Sequence, residues 1–125
     1  MLDTPTTFGD MLRYERELAG FGLRQLASCI KVSPAYLSRV EGGMKPPPTE
    51  DRIRRISEVL DADFFELMGA AGRAPSEVAE HFCRAPNEIM RLLRITDDMS
   101  RVEIDRLNDL LEGIVAKLNA GKAAI

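Results

Sequence analysis

Between Ser33 and Gly43 the chain reads SPAYLSRVEGG. On a helix, Leu37 and Val40 of this stretch turn inward, and the remaining faces hold Ala35, Ser38 and Arg39, with no acidic residue before Glu41. A hydroxyl that donates or accepts and a planar guanidinium fork are hydrogen-bonding groups, not a nucleophile with its base. Such a small, cationic face matches the base edges of duplex DNA, whose major groove, about 12 Å wide, admits an α-helix. Arg39 is the candidate for a bidentate contact to guanine, and Ser38 can pair with any base. Pro34 and Ala35 are small enough to let the helix end approach and to meet a thymine methyl. Ser33, with the first amides of the helix, suits a phosphate oxygen. Tyr36 either reaches a phosphate through its hydroxyl or packs against the first helix.

For this face to be presented, the preceding elements must hold the helix at an angle. Ser33 is a favourable N-cap and Pro34 sits at the first helical position, so a helix is predicted over Pro34–Glu41. Before it, a short helix from Leu23 to about Ile30 turns Leu26, Ala27 and Ile30 one way. Ala27 is the small residue that a close crossing needs, and Val32 plugs the turn. Leu37 and Val40 then anchor the second helix, which completes the physical logic of a helix-turn-helix.

Further helices frame this pair. Thr7 is positioned to cap a first helix carrying Phe8, Met11, Leu12, Glu15 and Leu18, which Gly20 and Gly22 end. EGGMKPPP closes the reading helix, and Thr49 opens a fourth, Glu50 to about Leu60, with Ile53, Ile56, Val59 and Leu60 inward. A fifth runs from Asp63 to about Gly69. Past AAGRAP, Pro75 and Pro86 each open a helix of about ten residues. The longest is predicted from about Ser100 to Asn119, and the AGKAAI tail is expected to fray. The organisation is therefore all-α, with a DNA-binding domain over 1–72 and a helical extension over 73–125.

The net charge of −3 is unevenly spread. From Met11 to Pro48 six basic residues (Arg13, Arg16, Arg24, Lys31, Arg39, Lys45) outnumber three acidic ones, whereas from Thr49 to Gly72 six acidic outnumber three basic. DNA meets one face of a protein and not its average, so this asymmetry is compatible with binding it. Arg13, Arg16 and Arg24 also read as ordinary solvated charges. Arg52, Arg54 and Arg55 splay among Glu50, Asp51 and Glu58 and read as salt-bridged surface. Cys29 and Cys83, the two cysteines, lie in apolar-periodic segments and are expected to pack as small hydrophobes. One histidine, no glycine-rich phosphate loop after a strand and no metal-ligand spacing argue against an enzyme, a metal site or a cofactor. No apolar run approaches about 18 residues, and MLDTPTTFGD lacks the pattern of a secretory signal, so the expected compartment is the cytoplasm.

The strings LRQLA, VSPAYLSRVEGG, the proline-rich exit and ISEVLDADFFELM resemble, in order, the helix-turn-helix regulators of the Cro and lambda-repressor type, the Xre family. The resemblance covers about Phe8 to Gly69. It implies a five-helix domain acting as a dimer on an operator of two half-sites. Carried onto matching positions, it implies Ser33, Pro34, Ala35, Ser38 and Arg39 for the reading helix and Arg13, Arg24, Gly42, Gly43 and Lys45 for the DNA backbone. This chain has Lys31 where the family's turn commonly has glycine. The lysine therefore takes a strained backbone or the turn differs. Leu23 stands where the family often has a phosphate-binding glutamine, so that contact is not carried over.

In the last helix Ile104, Leu107, Leu111, Ile114 and Leu118 recur at spacings of three and four, flanked by Val102, Leu110 and Val115. A stripe this wide needs a cover. The preferred one is a second copy of the chain, because a dimer doubles the contacts of a short reading helix. The functional expectation is a repressor binding its operator as a homodimer. The alternative is an antitoxin or partner-regulated repressor whose last helices bind a toxin or a cognate protease.

Overall fold

The computed structural model describes residues 7–123. Residues 1–6, which belong to the segment read for a signal, and 124–125 lie outside the described residues. Eight α-helices and no strand are found among the described residues: α1 (Phe8–Leu18), α2 (Leu23–Cys29), α3 (Pro34–Glu41), α4 (Glu50–Leu60), α5 (Phe64–Ala70), α6 (Ser76–Arg84), α7 (Pro86–Thr96) and α8 (Arg101–Ala123). The all-α class and the order of helices agree with the sequence reading. Two ends differ. Asp63 caps α5 instead of belonging to it, and α8 continues to Ala123 through residues expected to fray. No described helix is long and apolar enough to cross a membrane.

Helix starts follow the side-chain oxygens available to take up free amides. Thr7 accepts from the Asp10 N–H at 3.0 Å, Ser33 from Tyr36 at 3.1 Å, Thr49 from Arg52 at 3.5 Å and Asp63 from Glu66 at 3.0 Å. Ser100 and Glu103 cap each other's amides reciprocally before α8.

Helix ends share one device. After α1 to α5 a single left-handed residue reverses the chain: Gly20, Lys31, Gly43, Asp61 and Gly72. In each case the next amide reaches back to a carbonyl five residues earlier, as from Val32 to Ala27 (3.0 Å) and from Ala62 to Ser57 (2.9 Å). Three of the five positions are glycine, for which this conformation carries no Cβ penalty. Lys31 adopts it with φ of 60°, so the turn keeps its geometry and the lysine accepts the strain.

The described chain divides into two compact units at Ala79 and Glu80. The first holds the core: Phe8, Leu12, Leu26, Ala27, Ile30, Leu37, Val40, Ile53, Ile56, Leu60, Leu67 and Met68, drawn from α1 to α5 and the end of α2. Each large aliphatic among them contributes about 1.5–3 kcal/mol by leaving water. The first turn of α6 is tied to α4. The Ser76 hydroxyl donates to Glu50 at 2.7 Å, and the Arg54 guanidinium bonds both Glu50 (3.2 Å) and Glu77 (2.9 Å) while lying 4.0 Å over the Phe64 ring. Arg73 donates to the carbonyl of Pro48 in the proline-rich exit. Arg55 pairs with Glu58, so the Arg54 and Arg55 part of that basic cluster is salt-bridged, as expected.

The second unit is different in kind. No described residue of α6, α7 or α8 is fully buried. Phe82, Met90, Leu92, Leu93 and Ile95 are exposed in α6 and α7, as are Leu110, Leu111, Ile114, Val115 and Leu118 in α8. Cys83 is exposed as well, which corrects its expected burial: no residue of α6 is buried. Cys29, half-buried in α2, is a free thiol.

Candidate nucleic-acid interface

α3 is eight residues long, capped by Ser33 and begun by Pro34. Leu37, Val40 and Glu41 are buried, while Ala35, Ser38 and Arg39 are exposed on the other side and Pro34 is half-buried. The anchors that set its crossing with α2 are where the sequence placed them. Ala27 and Leu37 are wholly buried and Val32 packs on the core's edge. Tyr36 is half-buried against the core, which favours packing, and the Ser33 Oγ is engaged as acceptor for the Tyr36 N–H but keeps its own proton to donate.

Glu41 is the residue whose role sequence reasoning missed. It turns into the protein, with its side chain 2% exposed, and binds Arg16 in a two-point pair. The Arg16 Nε donates to Glu41 Oε2 at 2.7 Å and Nη2 to Oε1 at 2.9 Å, and Nη1 donates to the Phe21 carbonyl at 3.0 Å. Arg13 Nε adds a longer contact to Oε1 at 3.4 Å while its side chain stays 58% exposed. Hydrogen bonding to Glu41 raises the Arg16 pKa above its ordinary value, outweighing the opposing effect of burial. Arg16 is thus no solvated charge. The pair fastens the last turn of α3 to α1, and it withdraws from α3 the only acid that the helix carries.

A second fastening lies next to it. Gly9 is buried, and a Cβ placed there would stand 2.4 Å from the Glu41 carbonyl oxygen and 2.6 Å from that of Val40. Only glycine lets α1 pass so near the end of α3. Gly9 and Arg16, two turns apart on α1, meet the same end of α3, a meeting that neither local sequence announces.

The remaining candidates fall into two groups. Arg13, Arg24 and Lys45 are exposed cations, and Lys31 joins them at the left-handed turn residue. Gly42 and Gly43 are exposed, but their N–H groups already donate to Ser38 (3.0 Å) and Val40 (3.1 Å). Neither amide is therefore left over as a donor. Leu23 is half-buried on the core's edge, and Gln25, two residues on, is occupied in capping the Gly22 amide at 3.3 Å. Ile104 and Leu107 are half-buried, and Leu111, Ile114 and Leu118 are exposed.

A family model described as a helix-turn-helix domain matches residues 7–64. Among curated proteins the chain is 38% identical over 82 residues to the HTH-type transcriptional repressor RghR of Bacillus subtilis (strain 168), covering 66% of this chain and 58% of that protein. It is 37% identical over 73 residues to an uncharacterized HTH-type transcriptional regulator of Mycobacterium tuberculosis, covering 58% and 51%. The chain spans about half the length of the curated relatives it matches. Among solved structures it is similar to one described as SinR, the master regulator for biofilm formation, in complex with DNA. There the TM-score is 0.46 and the identity 27%, with 50% of this chain and 98% of that chain covered.

Proposed function

We propose, from the helix-turn-helix model that matches residues 7–64 and from the resemblance of those residues to the Cro and lambda-repressor type, the Xre family, that the chain is a sequence-specific DNA-binding regulator. The single observation that carries this reading is the face of α3: Ala35, Ser38 and Arg39 stand in solvent while Glu41 is drawn inward onto Arg16. A helix whose one acid is turned inward and whose last turn is fastened to α1 can enter a groove with little reorganisation. In this reading Arg39 and Ser38 meet base edges, and Pro34 and Ala35 allow the approach. Ser33, Arg13, Arg24 and Lys45 meet phosphates, Tyr36 supports the helix, and Gly42 and Gly43 leave space.

The regulator acts as a repressor and as a homodimer on two half-sites. The first is supported by the B. subtilis relative, a transcriptional repressor, the second by the stripe Ile104, Leu107, Leu111, Ile114 and Leu118, whose last three residues are exposed. Two-fold pairing would hold the reading helices about 34 Å apart, one turn of DNA. A toxin or protease on the extension is the competing occupant, and a chain that is monomeric alone would favour it.

Selection of bound fragments from random duplexes tests the reading, because it reports preference, half-site symmetry and spacing together. Arg39→Ala should then relax preference at one base pair per half-site, a loss of about 1–3 kcal/mol of discrimination. No enrichment of any sequence by the intact chain would overturn the proposal.

A further inference from the structure

The stripe on α8 can be covered by a second α8 in two orientations, and the charges beside it choose between them. α8 is 23 residues long, and Ile104, Leu107, Leu111, Ile114 and Leu118 follow the spacing of a two-helix seam. Along its edges stand Arg101, Glu103, Lys117 and Lys122. In a parallel pair the edge position of one helix meets the position five residues further along on the other, which sets Lys117 against Lys122 twice. In an antiparallel pair that seats Ile104 on Ile114 and Leu107 on Leu111, Glu103 instead lies beside Lys117 of the second copy, again twice. Sliding that antiparallel pair to the next seam, Leu111 on Ile114, brings Arg101 against Lys122. Of the three arrangements only one joins opposite charges.

We propose that two copies of the chain associate through α8 in antiparallel, two-fold fashion, with Ile104 on Ile114 and Leu107 on Leu111, and that Glu103 and Lys117 set orientation and register. The inference rests on the homodimer reading above and deepens it. An isologous pair of this kind fills four consecutive layers from one short stripe and brings Leu110, 64% exposed, onto its own counterpart at the two-fold axis. The apolar layers hold the pair together, and the edge charges exclude the other arrangements.

Cysteine cross-linking of the full chain tests this, with Cys29→Ser and Cys83→Ser in the background. Sedimentation is measured first: a monomer at all concentrations refutes the homodimer itself, and with it this inference. Given a dimer, a mixture of Ile104→Cys chains with Ile114→Cys chains should cross-link under mild oxidation, and neither variant alone should. The like positions are offset by ten residues, about 15 Å along the antiparallel pair. Cross-linking of each variant with itself would mean parallel helices, and a dimer with no cross-link in any mixture would place the interface elsewhere. Either result overturns the inference. Lys117→Glu supplies an independent sign. It should weaken dimerisation about fivefold, with recovery on adding Glu103→Lys, whereas a parallel pair would tighten because Lys122 would gain an opposite charge.

Discussion

Replacing Glu41 by alanine removes one partner of the pair that fastens α3 to α1. The Arg16 side chain, only 12% exposed, then retains one hydrogen-bond acceptor, the Phe21 carbonyl, and has lost the carboxylate bonded to its charge. Removing one member of a buried pair costs about 3–5 kcal/mol, because the survivor stays desolvated. Against a total of about 5–15 kcal/mol for a small domain, this is a large share, and it corresponds to a fall in Tm of about 15–30 °C. Arg13→Ala is the internal control. Its contact is longer and its side chain mostly in water, so its loss should cost under about 1 kcal/mol. Urea and thermal unfolding followed by circular dichroism measure both, and the double change Arg16→Met with Glu41→Leu should recover most of the stability, since an apolar pair needs no compensation. If Glu41→Ala costs no more than Arg13→Ala, the pair does not anchor α3 and the account of why its outward face is free of acid fails.

Lys31→Gly should stabilise the first unit by about 1 kcal/mol, read as a rise in the urea midpoint, because glycine takes the left-handed turn without the clash that lysine tolerates. A decrease would mean that the lysine side chain makes up for its backbone. Gly9→Ala should destabilise by about 1–3 kcal/mol and loosen α3, seen as faster amide exchange at Val40 and Glu41, since the new methyl meets carbonyl oxygens and not a yielding side chain. The Arg54 guanidinium holds the Glu77 carboxyl down from 4.5 to about 2, and the Ser76 hydroxyl, then the Ser76 amide and Arg54, lower that of Glu50. A depressed carboxyl contributes fully above its unfolded pKa and loses that contribution as pH falls through its folded one. The tie between α4 and α6 should therefore persist at pH 3.5 and release near pH 2, and a carboxyl titration by NMR with a midpoint near 4 would contradict it.

Local chemistry was legible in the sequence wherever one residue type decides a conformation. Ser33 followed by Pro34 located the start of α3, Thr7 and Thr49 those of α1 and α4, and Gly20 and Gly43 two of the reversals. Apolar spacing gave the inward faces of α2, α3 and α4 because each buries one stripe. What stayed hidden depends on the third dimension. Arg16 and Glu41 are 25 positions apart, and nothing in either neighbourhood says that they meet. Lys31 and Asp61 hold a conformation that their own types disfavour or only tolerate, so the surrounding bonds, not propensity, impose it. Cys83 was misplaced for a related reason. Periodicity shows that a face is apolar and not whether another element covers it, and no residue of α6 is buried.

The five left-handed terminators bear on how quickly the chain reaches its ordered state. Because each of α1 to α5 stops within a single residue, the connections after α1, α2 and α4 are only a few residues long, and successive helices meet after closing very small loops. Chains rich in such local encounters fold in about microseconds to milliseconds. Among the described residues from Glu80 onward none is fully buried, so if two copies pair as proposed, consolidation of this segment would await collision with another copy, a bimolecular step that slows on dilution while the first unit's folding does not.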